Sequence, residues 1–147
     1  MRRTRRGTTL LDVVVTLVVT ALLAAFAIPR AAKGLDRLRT RAAAEQVAVA
    51  YAVARQAAIL RSAPVDVRLD TSRVSVAVVA AGDTLVHRAL ASELGVTMSA
   101  TRLSSTFSAL GMGWGSANAT IVLRRGRSVD SVVVSRLGRV RRGDASF

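Results

Sequence analysis

The sequence predicts an α+β fold: one long N-terminal helix, its first half able to span a membrane, packed on a small antiparallel β-sheet head. Three observations predict it. Thr8 to Ile28 is an apolar run of 21 residues with a single ionisable group, Asp12. Good helix formers, chiefly Ala, Arg, Leu and Gln, carry the same pattern on to Ser62. From Val65 the apolar period falls from about 3.6 residues to 2, the signature of half-buried strands.

The apolar run comes first in the chain and organises the rest. At about 1.5 Å per helical residue it roughly spans a bilayer core of about 30 Å. Four arginines precede Gly7, and by the positive-inside tendency they hold that end in the cytoplasm and put the rest of the chain outside. The run differs from an export signal, whose apolar core of about 7–15 residues is followed by a small-residue cut site. Here Ala24, Ala25 and Ala27 are embedded in the run, and the small residue placed like a cut site, Gly7, lies before it. Cleavage after Gly7 would remove the arginines and leave the apolar segment on the mature chain. Asp12 is costly in lipid and needs a cation at its own depth. Cleavage supplies one, the new amine of Thr8. In parallel helices the amine of one chain could meet the carboxylate of the next, neutralising both and setting axial register. The alternative is that Asp12 sits at the membrane surface and is solvated.

Gly7 followed by TTLLDVVVTLVVTALLAAFAIP resembles the N-terminus of type IV pilins and type II secretion pseudopilins. The resemblance implies that a prepilin peptidase cuts between Gly7 and Thr8 and N-methylates Thr8. It also implies that the acid at the fifth mature position, Asp12, and the proline at the twenty-second, Pro29, serve assembly. Two residues depart from the pattern: Thr8 stands where Phe is usual, and Asp12 where Glu is usual.

Beyond Pro29, which a membrane helix tolerates with a bend, Arg30, Lys33, Arg37, Arg39 and Arg41 lie just outside the membrane. They fit lipid headgroups or a solvated face equally well. Two apolar stripes follow. Leu35, Leu38, Ala42, Val49, Val53 and Leu60 recur near heptad spacing, and Val47, Ala50, Tyr51, Ala54 and Ala58 form a neighbouring stripe. One stripe can pack on the head and the other on neighbouring subunits. Pro64 ends the helix. Strands are then expected at Val65–Leu69, Val74–Val78 and Thr84–His87, with weaker ones at Val96–Ser99 and Thr106–Leu110. Ala119–Leu123, Val129–Ser135 and Arg139–Arg142 complete the set. Short turns between consecutive strands favour antiparallel pairing. Ala52 to Leu69 and Val132 to Gly143 resemble the helix-to-head segment and the closing hairpin of the GspH/FimT branch of pseudopilins and minor pilins.

Composition sets the remaining limits. The chain of 147 residues divides into a leader at 1–7, an assembly helix at 8–29, the soluble half of the helix at 30–63 and a β-rich periplasmic head at 64–147. Aromatics are 3%, so Val, Leu, Ile and Ala must build the core. The formal charge of +13 falls to +9 without the leader, which points to acidic partners such as anionic lipid, nucleic acid or acidic protein faces. There is no cysteine, hence no disulfide and no thiol chemistry.

Seven arginines crowd the last 24 residues, opposed by Asp130 and Asp144. Arg139 and Arg141 would share a strand face with Val140 turned to the core, and their forks could grip successive phosphates. Gly138-Arg139-Val140-Arg141, with Arg142 next, also resembles the Gly-Arg-x-Arg tail that FimT-type pilins use for DNA uptake. The alternative is a solvated basic edge that discourages strand aggregation. His87 lacks metal-ligand companions, Ser104 and Ser105 have no motif and no plausible base other than His87, and Gly111-x-Gly-x-Gly lacks the strand-turn-helix setting of a nucleotide loop. Trp114, flanked by glycines, is expected to cap the core beneath its loop, with a partner anchor as the alternative. The reading is a non-enzymatic minor pilin or pseudopilin of the inner membrane, without cofactor, metal or small-molecule substrate. Its partners are other subunits and the prepilin peptidase, and DNA in the alternative reading.

Overall fold

The computed structural model describes residues 9–115 and 118–143, so Gly7 and Thr8 lie outside the described residues. Two compact units succeed one another, dividing between Gly34 and Leu35. Helix α1, Leu10–Arg61, contributes to both and runs unbroken through position 29.

In the first unit the helix is apolar all round. Its large apolar side chains from Leu10 to Ile28 are 49–85% exposed. A helix without a polar face suits lipid or other helices rather than water. Its threonines fit that medium, because each returns its hydroxyl to the helix. Thr16 donates to the carbonyls of Asp12 and Val13 at 2.9 and 2.8 Å, and Thr20 to that of Thr16 at 2.7 Å.

In the second unit α1 buries Ala43, Ala44, Val47, Ala50, Tyr51, Ala54 and Ala58, which includes every residue of the second stripe read from the sequence. The helix stops at Arg61, before Pro64, through a backbone device. Ser62 takes the left-handed conformation (φ 48°), its N–H donates to the carbonyl of Ile59, and the Ala63 N–H to that of Ala58, both at 3.2 Å. That is a Schellman closure with serine where glycine is usual.

The remaining elements are β1 (Val65–Asp70), β2 (Ser75–Ala80), β3 (Asp83–Ala89), α2 (Leu90–Leu94), β4 (Thr97–Ala100), β5 (Ser104–Phe107), β6 (Ala119–Arg125), β7 (Ser128–Val134) and β8 (Val140–Gly143). The α+β architecture matches the expectation, but the β-structure forms two four-stranded antiparallel sheets rather than one. Their orders are β3-β2-β1-β5 and β4-β6-β7-β8. The break falls at α2, which the sequence reading missed because five residues are too few to display a helical period. Leu90 anchors it in the core, and Gly95 (φ 62°) closes it. The chain then leaves β3 and pairs β4 with β6 instead.

Strand alternation builds the core as the period of two requires. Val65, Val67 and Leu69 of β1, Val76 and Val78 of β2, Ile121 and Leu123 of β6, and Val132 and Val134 of β7 join the helix residues in one cluster. Tyr51 and Phe107 meet edge to face with ring centroids 6.2 Å apart, tying α1 to the first sheet. Burial pushes the Tyr51 phenol above its ordinary pKa, and the Ser105 hydroxyl offsets part of the rise. At the β1–β2 turn, Asp70 accepts from the Ser72 hydroxyl at 2.6 Å and from the Ser72 and Arg73 N–H groups at 2.9 Å. The Ser72 hydroxyl, then the backbone groups and the Arg73 charge, hold the Asp70 carboxyl below the usual range.

Two local expectations are corrected. The strand expected at Thr106–Leu110 ends at Phe107, because Ser108 to Met112 folds into a tight turn closed by the Ser108 N–H to the Met112 carbonyl at 2.8 Å. Trp114 does not cap the core: it is 65% exposed. Its loop is held by backbone bonds instead, the Trp114 N–H to Thr106 and the Gly113 N–H to Arg136, so the ring is free to face outward.

A left-handed non-glycine residue costs roughly 1–2 kcal/mol, while glycine loses about 0.5–1 kcal/mol more chain entropy on folding. Ser62→Gly is therefore expected to stabilise the protein by about 0.5–1 kcal/mol. Thermal unfolding of the full chain in detergent checks this, and an unchanged or lower midpoint contradicts it.

Candidate functional site

Three surfaces carry the candidate residues. At the start of α1 the Thr9 N–H donates to the Asp12 carboxylate at 3.0 Å, and the Asp12 N–H donates to the Thr9 hydroxyl at 3.3 Å. The reciprocal pair is a capping box with aspartate in the glutamate position. Asp12 therefore has a duty within its own chain, which the sequence reading missed. The signal was Thr9 three residues before Asp12. The cap leaves room for the intersubunit contact expected from the sequence, since a carboxylate offers about four acceptor sites and the cap uses one.

On the second half of α1 the heptad stripe is left uncovered. Leu35, Leu38, Val49 and Leu60 are 46, 66, 50 and 77% exposed, and Ala42 and Val53 are half-buried. The two stripes of one helix thus diverge: the alanine-rich one is covered by the sheets, and the leucine-rich one faces out.

The third surface is the edge strand β8. Val140 packs against the core, while Arg139, in the turn just before the strand, and Arg141 are exposed. The Arg139 and Arg141 side chains have no ion-pair partner among the described residues. Arg142 differs. It donates to the Glu45 carboxylate of α1 at 2.6 Å and lies 3.7 Å from that of Asp130, a residue only 4% exposed. It neutralises a buried acid and fastens the edge strand to the helix, a setting different from that of Arg139 and Arg141.

Arg125, another of the seven clustered arginines, is also held internally. Its Nε donates to Asp36 at 2.8 Å, and its Nη1 to the carbonyls of Leu94 and Gly95 at 2.7 and 2.8 Å. That contact joins residues 89 apart in sequence, so no local pattern announces it. Arg55 similarly donates from Nε to the Gly111 carbonyl at 3.0 Å, and a Cβ at Gly138 would lie 2.5 Å from the same oxygen. The glycine-rich loop is thereby pressed between α1 and the β7–β8 turn, a packing role rather than a phosphate cradle.

His87 is exposed on β3, and among the described residues no group of three His, Cys, Asp or Glu side chains is placed to hold a metal ion. Ser105 is buried beside Tyr51.

Solved structures share this architecture. The type IV minor pilin FimU of Pseudomonas aeruginosa superposes with a TM-score of 0.63 at 17% identity, covering 76% of this chain and 92% of that one. The minor pseudopilin EpsH from the Type 2 Secretion System of Vibrio cholerae superposes with a TM-score of 0.59 at 12% identity, covering 74% and 99%. The chain has a pilin-like fold. No family model matches the sequence, and no curated relative matches it. The likeness therefore lies in the course of the backbone and not in residue identity.

Removing one partner of a buried charge pair costs several kcal/mol, reduced here because the Arg142 side chain is 29% exposed. Arg142→Ala is expected to destabilise the chain by about 2 kcal/mol, and Arg139→Ala by less than about 0.5 kcal/mol. Urea unfolding of the two variants separates them, and equal midpoints would count against the assignment.

Proposed function

We propose that the chain is a minor pilin or pseudopilin, a structural subunit that catalyses nothing. In this reading it is made as a precursor in the inner membrane, with its N-terminus cytoplasmic and its head periplasmic. Prepilin peptidase cuts between Gly7 and Thr8 and methylates Thr8. The mature helix then carries the subunit into a type II secretion pseudopilus or a type IV pilus, near the tip, as in the GspH/FimT branch. The leader is 1–7, the assembly helix 8–29, its soluble half 30–63 and the head 64–147. Lateral neighbours are other subunits.

One observation carries this reading: the uncovered stripe of α1. A single helix is apolar all round in its first half and leaves Leu35, Leu38, Val49 and Leu60 in the open in its second. Exposed apolar surface of this extent marks an interaction face. Its placement on a continuous helix suits packing of parallel helices side by side. Asp12, open on the sides its cap does not use, is suited to meet the Thr8 amine of a neighbour. Pro29 lies at the end of the membrane run, where a bend is tolerated.

A second reading, DNA binding by the head, is supported by the exposed and unpartnered Arg139 and Arg141. It loses Arg142, which is committed to Glu45 and Asp130. Two phosphate contacts are the most this pair supplies, so binding should be weak, with a salt slope of only about two units.

The primary test is the chain in its own membrane. Mass spectrometry is expected to find the N-terminus at Thr8 carrying one methyl group. Asp12→Ala is expected to be processed yet largely absent from sheared filaments, while Asp12→Glu is retained. Normal incorporation of Asp12→Ala would falsify the register role of the acid. For the second reading, an Arg139→Ala/Arg141→Ala chain should lose roughly tenfold in affinity for duplex DNA at low salt, with a salt slope shallower by about two units. Equal retention by parent and variant rejects DNA binding at this edge.

A further inference from the structure

We propose that the groove between the last turns of α1 and the β7–β8 turn is a docking site for an apolar side chain flanked by carboxylates, presented by a different and acidic subunit of the filament. The inference rests on the filament reading above and adds the identity of the neighbour's chemistry.

The groove encloses about 650 Å³. Its lips are leucines in the open: Leu60 is 77% and Leu137 69% exposed, with Ile59 at 47% between them and the glycine-rich loop. Gly138 lets the β7–β8 turn pack close against the glycine-rich loop, since a Cβ there would lie 2.5 Å from the Gly111 carbonyl. The opening continues the uncovered stripe of α1 at its C-terminal end.

Charge selects the occupant. Arg55 and Arg139 line the groove, and among the described residues no acid does. Arg55 is pinned through Nε to Gly111, which aims its remaining guanidinium nitrogens without partners among the described residues. An apolar groove with one pinned and one solvent-facing guanidinium group favours an apolar anchor beside carboxylates, which arginine grips in its planar fork.

A second copy of this chain is a poor occupant. From Leu35 onward there are sixteen Lys or Arg and eight Asp or Glu. Asp36, Glu45, Asp66, Asp70 and Asp130 are already engaged within the chain. Among the described residues of this unit, Asp83 and Glu93 are the acids left, far too few to answer a copy's arginines. Duplex DNA would satisfy the arginines but leaves Leu60, Ile59 and Leu137 without apolar partners.

The test places a photo-reactive benzoylphenylalanine at position 137 of the full-length chain, in cells that assemble the filament. On irradiation the expected product joins this chain to a different subunit, at a site within a few residues of an Asp or Glu. Arg139→Glu should lower that product at least fivefold without shifting the unfolding midpoint. Changing the mapped acid to Lys in the partner should restore it. An adduct with a second copy, a nuclease-sensitive adduct, no adduct, or an adduct indifferent to Arg139→Glu each overturns the proposal. Sheared filaments from the same cells report incorporation separately. A chain that incorporates but gives no adduct sinks the groove alone, whereas one that never incorporates sinks the filament reading and the groove with it.

Discussion

Everything in the head depends on how α1 is rotated about its own axis. The helix has two apolar stripes and one set of sheets to lay them on, so covering one leaves the other bare. The small stripe won. Ala43, Ala44, Val47, Ala50, Ala54 and Ala58 are the buried residues of that stripe, with Tyr51 meeting Phe107 edge to face. The leucine stripe would have held the sheets further away and left voids beside the smaller side chains, at a cost that close-packed interiors do not tolerate.

Three side-chain contacts lock that rotation. Asp36 takes Arg125, Glu45 takes Arg142, and Arg55 takes the carbonyl of Gly111. The first two hold the second sheet, and the third holds the loop that follows the first sheet. Spread over nineteen residues of α1, they fix the helix along its length as well as around its axis. None is deeply buried, so each adds modest stability. Their geometric effect is larger, because turning the helix would break all three together.

The same contacts divide the arginines into two classes. A run of positive charge in a sequence reads as a single basic surface. In the fold Arg125 and Arg142 turn toward acids on α1, while Arg139 and Arg141 stay in solvent. Alternation along β8 explains part of this, since Arg142 falls on the face of Val140 rather than that of Arg141. The rest comes from Glu45 and Asp36, far away in sequence and brought close only by the packing of the helix.

The sequence by itself determined the membrane-length apolar run, the long helix, and seven of the strands to within two residues. Each is encoded by a local period or by a turn at a fixed offset, and both act over a few residues. It also marked both stripes of α1 without deciding which would be covered. Only the tertiary structure decided that choice, the split into two sheets at α2, the outward turn of Trp114 and the capture of Arg142. These outcomes depend on contacts between residues tens of positions apart. Such contacts leave no periodic trace in the chain, because what selects them is the fit of surfaces that exist only after the elements have packed.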